Sequence, residues 1–148
     1  MSRGRRSFVV ATSEFLLVGM AAVVSATPGT GVSGTILAKG TSPNGIVVSS
    51  REKTDVAVLE IAPGGSTGWH YHDGQVIAVV KSGTLTRTLH DCSTEVTSPG
   101  GSFVEPAGRH HVHIGHNLGT EPVVLLATHV LPAGQPLSQD APQPQYAR

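Results

Sequence analysis

Turn signals recur along this chain at intervals too short for helices. Pro43-Asn44-Gly45, Pro63-Gly64-Gly65, Ser82-Gly83, Pro99-Gly100-Gly101, Pro106-Ala107-Gly108 and Leu118-Gly119 cut it into short apolar runs. Glycine supplies positive φ and proline fixes φ, which tight turns need and helix interiors do not tolerate. The runs Gly34 to Ala38, Ile46 to Ser49, Asp55 to Ile61, Val76 to Lys81, Thr84 to Leu89, Ser102 to Glu105, His110 to Ile114 and Pro122 to Leu131 read as strands. Alternation is clearest in Val56 to Ile61 and Thr84 to Leu89, whereas Val123-Val124-Leu125-Leu126 is apolar on both faces. Repeated short strands without a helical period predict an all-β domain, a sandwich or barrel.

Length and charge narrow the function. At 148 residues the chain holds one domain. Ten Lys plus Arg balance ten Asp plus Glu, so there is no basic field to attract nucleic acid and no charge excess to keep the chain unfolded. No Ser-His-Asp order, phosphate-binding glycine loop or CxxC pattern is present.

The first stretch reads as an address. Arg3, Arg5 and Arg6 precede a mostly apolar run from Phe8, interrupted by Glu14, and Val24-Ser25-Ala26 offers the small residues of a cleavage site. Arg5-Arg6-Ser7-Phe8 resembles a twin-arginine export signal, which carries folded proteins, with an ordinary secretion signal as the alternative. The expected organisation is a signal peptide over 1–26, a flexible leader over 27–33, a barrel over 34–132 and a loosely attached Pro/Gln-rich tail over 133–148. Losing three Arg and one Glu leaves the mature domain mildly acidic, with no membrane association expected beyond the signal. Cys92, the one cysteine, cannot form an internal disulfide and reads as a loop residue.

The histidines carry the chemistry. Six of the eight fall into two groups, His70 with His72, and His110, His111, His113 and His116. Residues two apart on a strand share a face, so His70 and His72 can present two imidazoles to one ion, as can His111 and His113.

Gly64, His70, His72 and Gly83 resemble the first cupin motif, and Gly100, Pro106-Ala107-Gly108, His113 and Asn117 resemble the second. The resemblance spans Gly34 to Pro132 and implies a double-stranded β-helix, a jelly-roll-like barrel, with a metal in its mouth. It implies His70, His72 and His113 as ligands. His111 is the alternative to His113, because the chain carries one extra residue between the Pro-Gly turn and the ligand strand. The family's usual carboxylate should stand seven residues before Gly83, where this chain has Val76. Gln75, Glu105 and His111 are the candidates for a fourth ligand.

By strand parity, Val76, Ala78, Val80, Val104 and Leu126 should line the interior and Trp69 and Tyr71 should face away from the metal, while Glu105 and Arg109, which bracket the Pro-Ala-Gly turn, should form an ion pair at the rim. The resemblance implies a divalent transition metal, iron, manganese, nickel or zinc, beside a small-molecule ligand or substrate, and a homodimer. Two functions follow: a metal-dependent enzyme, with an oxygenase of a small organic substrate as the first expectation, or a non-catalytic ligand- or metal-binding module.

Overall fold

The computed structural model describes residues 28–42 and 52–145. The signal segment over 1–26 and the strand expected at Ile46 to Ser49 lie outside the described residues. The described chain contains ten strands: β1 (Thr30–Ser42), β2 (Glu52–Ser66), β3 (His70–Tyr71), β4 (Gln75–Ser82), β5 (Leu85–Thr88), β6 (Thr94–Thr97), β7 (Ser102–Glu105), β8 (Ile114–His116), β9 (Val123–Pro132) and β10 (Gln139–Asp140). A single 3₁₀ turn covers Arg109–His111. Strand β1 takes in residues 30–33, which the sequence assigns to a flexible leader.

Eight strands form one antiparallel sheet in the order β6-β5-β8-β2-β9-β4-β7, with β1 along the other edge of β2. The long strand β2 makes the corner. Its first part pairs with β9 from Glu52↔Pro132 to Ile61↔Val123, and its last residue pairs with β8 as Ser66↔His116. The hand-over falls at Pro63-Gly64-Gly65, where Gly64 sits at φ 73, a conformation that glycine adopts without a Cβ penalty. Asn117 secures the same corner. Fully buried, its side-chain amide donates to the carbonyls of Ile61 and Glu121 at 2.9 and 2.8 Å, and its carbonyl accepts from Gly119 N at 3.0 Å. Such an amide is stable in a core because its hydrogen-bonding capacity is used.

The bent sheet therefore has two walls, β9-β4-β7 and β8-β5-β6. Between them Ile61, Val80, Leu85, Val123 and Leu125 form the main apolar cluster, joined by Phe103. At roughly 1.5–3 kcal/mol for each fully buried large aliphatic side chain, this cluster is the main apolar contribution holding the walls together. Gly83 turns β4 into β5 at φ 71; a Cβ there would lie 2.6 Å from the Pro122 carbonyl, so this motif glycine is required twice over.

Two parity expectations are overturned. On β4, Val76, Ala78 and Val80 do point inward, but Val104 and Leu126 are 48% and 39% exposed. Inward positions fall instead to Phe103 and Glu105 on β7 and to Leu125 and Ala127 on β9. Adjacent apolar pairs such as Phe103-Val104 carry no parity of their own, so burial of the larger partner decides. The tail is also not loose: β10 pairs with β3, and Ala141 is buried. In place of a strand from His110, the chain makes the 3₁₀ turn and resumes at Ile114.

Candidate metal centre

His70, His72, Glu105 and His113 converge so that one donor atom from each lies within 4.8 Å of the others. Each arrives from a different construction. His70 opens β3 and forms a reciprocal backbone pair with His113, N to O at 3.0 Å and 2.9 Å, which brings the two motif segments side by side. His72 follows one residue after β3. Glu105 ends β7, directly opposite Val76 on β4. His113 follows the 3₁₀ turn, which absorbs the extra residue after Pro106-Ala107-Gly108.

The imidazoles are oriented by their outer nitrogens. Nδ1 of His70 lies 2.9 Å from the Gly68 carbonyl, that of His72 2.6 Å from the Leu137 carbonyl, and that of His113 2.8 Å from the His111 carbonyl. A carbonyl can only accept, so each Nδ1 carries a proton, and Nε2 is the nitrogen that faces the cluster and offers a lone pair whenever the ring is neutral. The Nε2 atoms of His72 and His113 lie 3.0 and 3.1 Å from the two Glu105 oxygens. Both nitrogens are buried, and neither meets a partner in hydrogen-bond geometry among the described residues. Lone pairs converging with a carboxylate, each ring backed by a carbonyl, form the donor set that transition metals take. The residues present can hold a metal ion.

Burial and charge set the protonation of the site. Burial pushes the His70 imidazole down to about 4, helped by His113 and His72. For Glu105, burial acts to raise the pKa, but His113 and His72 outweigh it and hold the carboxyl well below its usual range. Burial acts to lower His113, and the Glu105 carboxylate overcomes it to raise the imidazole above its ordinary value.

Arg87 supports the carboxylate from β5. Its guanidinium reaches Glu105 Oε1 at 3.3 Å, contacts Glu95, and lies 3.7 Å over the Phe103 ring. Strands β5 and β7 share no backbone ladder among the described residues, so this side chain bridges the seam between the walls.

The remaining sequence candidates resolve differently. Gln75 is exposed on the face of β4 opposite to Val76 and stands outside the cluster. His111 contributes its backbone carbonyl to His113 while its ring lies 5.5 Å from that of His90, away from the cluster. Glu105 does not pair with Arg109 at the rim; it is buried within the cluster. Trp69 is buried, its carbonyl accepting from Ala141 N at 2.8 Å.

His129, isolated in sequence, also belongs to this region. It pairs with Val76 across β9 and β4, and its ring centroid is 5.6 Å from that of His72. Burial lowers its pKa, with His72 adding to the effect. The signal that would have found it is its even spacing from Leu125 and Ala127, which puts all three on the inward face of β9.

The four clustered residues open into a cavity of about 320 Å³ whose apolar wall includes Val76, Ala78, Leu85, Phe103, Leu125 and Ala127. A larger and more open cleft of about 550 Å³ lies outside, between Tyr71, Arg109 and the C-terminal segment, apart from the clustered donors.

A family model for the cupin domain, Cupin_2, matches residues 57–129. No curated protein matches the sequence. Among solved structures, the polyketide cyclase RemF from Streptomyces resistomycificus is 20% identical, with a TM-score of 0.58 over 88% of this chain and 86% of that one. A cupin-2 domain, Rru_A2000 from Rhodospirillum rubrum, is 17% identical, with a TM-score of 0.57 over 89% and 82%. A chain from the crystal structures of the DMSP lyases RdDddP and RnDddQII is 25% identical at a TM-score of 0.52, over 60% of this chain and 44% of that one. The motif glycines, the bent antiparallel sheet and the histidines at its mouth agree with these matches, and the chain belongs to the cupin superfamily.

Proposed function

We propose that this protein is a metal-dependent cupin enzyme that binds one divalent transition metal through His70, His72, Glu105 and His113 and acts on a small organic molecule, with oxygenase chemistry as the leading reading. The observation that carries it is the convergence of three imidazoles, each with Nδ1 committed to a carbonyl, on one buried carboxylate. Three nitrogens and one oxygen suit iron(II), manganese, nickel or zinc. When bound, such an ion supplies Lewis acidity and coordination positions for substrate or dioxygen.

The chain's own residues set the terms. The apolar wall excludes water and selects a ligand with an apolar body, and a cavity of about 320 Å³ limits it to a small one. Glu105 stays ionised and contributes the negative charge that imidazole ligands do not supply. His129, neutral beside His72, places a proton acceptor at the wall. Similarity to a polyketide cyclase and to DMSP lyase chains supports action on small organic molecules, without choosing the reaction.

One observation favours a second reading. Four protein donors already converge, and four donors can close a tetrahedral site, which suits a non-catalytic metal- or ligand-binding module. Oxygen uptake by metal-loaded protein, screened over small thiols and enolisable ketones, separates the two. Uptake that disappears in His72→Ala supports the enzyme; stoichiometric metal with no turnover of any tested compound supports the module.

Export is part of the proposal, supported by Arg5-Arg6 and Val24-Ser25-Ala26. A homodimer is too, supported by the exposed outer-face residues Ile77, Val79, Val104 and Leu126 on neighbouring strands.

A further inference from the structure

The three imidazoles of the cluster are not held alike. His70 and His113 find their Nδ1 partners two residues away, at Gly68 and His111, within the same local segment. His72 finds its partner 65 residues away, at the Leu137 carbonyl. Its orientation therefore depends on a part of the chain outside the barrel.

That part is firmly docked. Strand β10 pairs with β3 as Gln139↔Tyr71 and Asp140↔His70. Ala141 N donates to the Trp69 carbonyl at 2.8 Å, and Ala141 is 3% exposed. Gln139 Nε2 donates to Asp73 Oδ2 at 2.8 Å, which ties the tail to the residue following His72. Leu137 and Ser138 also line the cavity beside the cluster. The ligand-bearing segment is thus clamped between two backbone pairings, one to His113 on its inner edge and one to β10 on its outer edge.

We propose that Leu137–Ala141 is a strap that positions His72, fixing its Nδ1-protonated tautomer and aiming Nε2 at the metal. The inference rests on the metal-centre reading above and deepens it. An imidazole that loses its backing carbonyl gains a second tautomer and a looser ring orientation. Loss of such a partner costs about 10–100-fold in metal affinity at sites of this kind. Because the backing group is a main-chain carbonyl, the sequence of the strap matters through its docking: Gln139 for the Asp73 anchor and a non-proline at 141 for the hydrogen bond to Trp69.

The test uses the full chain with Gln139→Ala combined with Ala141→Pro, and Gln139→Ala alone as the milder variant should the first fold poorly. Two readouts are taken. In metal-free protein, imidazole nitrogen NMR reports the tautomers: His72 is expected to be Nδ1-protonated in the parent and mixed in the strap variants, with His70 and His113 unchanged. In titrations with Co²⁺ alone, the double variant is expected to bind about 10–100-fold more weakly than the parent. In a His72→Ala background the same strap changes should cost less than about threefold, because the group they position is gone.

An unchanged His72 tautomer in both variants, or an equal loss of Co²⁺ affinity with and without His72, overturns the proposal. If the parent takes up no Co²⁺, the metal-centre reading fails while the tautomer measurement still decides the strap.

Discussion

Glu105 and Val76 stand directly opposite one another in the β4–β7 pair, and both point into the barrel. Val76 occupies the position at which the cupin pattern places its carboxylate, so this chain presents its carboxylate from the neighbouring strand. Directly opposed residues have Cβ atoms about 4.5–5.5 Å apart, a distance that a Glu side chain spans.

That relationship predicts a rescue. Glu105→Ala should weaken metal binding by about 100-fold or more, and moving the carboxylate across the pair, Val76→Glu with Glu105→Val, should recover at least a tenth of the lost affinity. Competition with a chelator of known affinity measures both. A swap no better than Glu105→Ala would mean that the two positions do not face one site.

Arg87 should matter more for stability than its two acidic contacts suggest separately. Its guanidinium is buried, bridges the β5–β7 seam and stacks on Phe103, whereas Glu95 is half exposed. Arg87→Met is expected to cost about 3 kcal/mol, since it removes one partner of a buried pair. Glu95→Gln should cost less than about 1 kcal/mol, as exposed pairs do. Urea unfolding of the metal-free protein distinguishes them, and equal losses would contradict the seam assignment.

Acid should destabilise the metal-free protein through His70. Its folded pKa is near 4 against an ordinary value of 6.5, so the unfolded chain takes up its proton first. The stability that the neutral His70 contributes is complete above 6.5 and is lost as pH falls toward 4, to the extent of roughly 3 kcal/mol. His113 has the opposite sign. Its raised pKa favours the folded state below 6.5, and that contribution fades as pH rises through the folded value. His70→Asn should therefore flatten the loss of stability between pH 6.5 and pH 4. A steeper loss would reverse the sign assigned to His70.

The neighbouring leucines of β9 test the inward face. Leu125 is 5% exposed within the main cluster and Leu126 is 39% exposed. Leu125→Ala should cost about 2–5 kcal/mol in thermal or urea unfolding, and Leu126→Ala about 1 kcal/mol or less. Similar costs would mean that both faces of β9 are covered.

Much of this arrangement was legible in the sequence because two-residue periodicity and turn chemistry are local. The His70/His72 pair and the inward residues of β4 follow from two-residue spacing, while Gly83, Asn117 and His113, with His111 as its alternative, follow from the resemblance to the cupin motifs. Glu105 was harder. Binary patterning places an acidic residue outside, and Ser102-Phe103-Val104-Glu105 offers two apolar neighbours from which to choose the inward face. Three partners, Arg87, His72 and His113, are what make burial of the carboxylate tolerable, and they come from other segments. The docked tail was illegible for a different reason. It is held by backbone hydrogen bonds to Trp69 and β3, and main-chain donors and acceptors leave no signature in composition.

The central claim is the identity of the metal-holding set, and metal content measures it most directly. After loading with excess Co²⁺ and gel filtration, the parent protein and His111→Ala are expected to retain about one ion per chain, while His70→Ala, His72→Ala, Glu105→Ala and His113→Ala retain well under half of that. Loss of metal in His111→Ala with retention in His113→Ala, or no retained metal in the parent, would contradict the account.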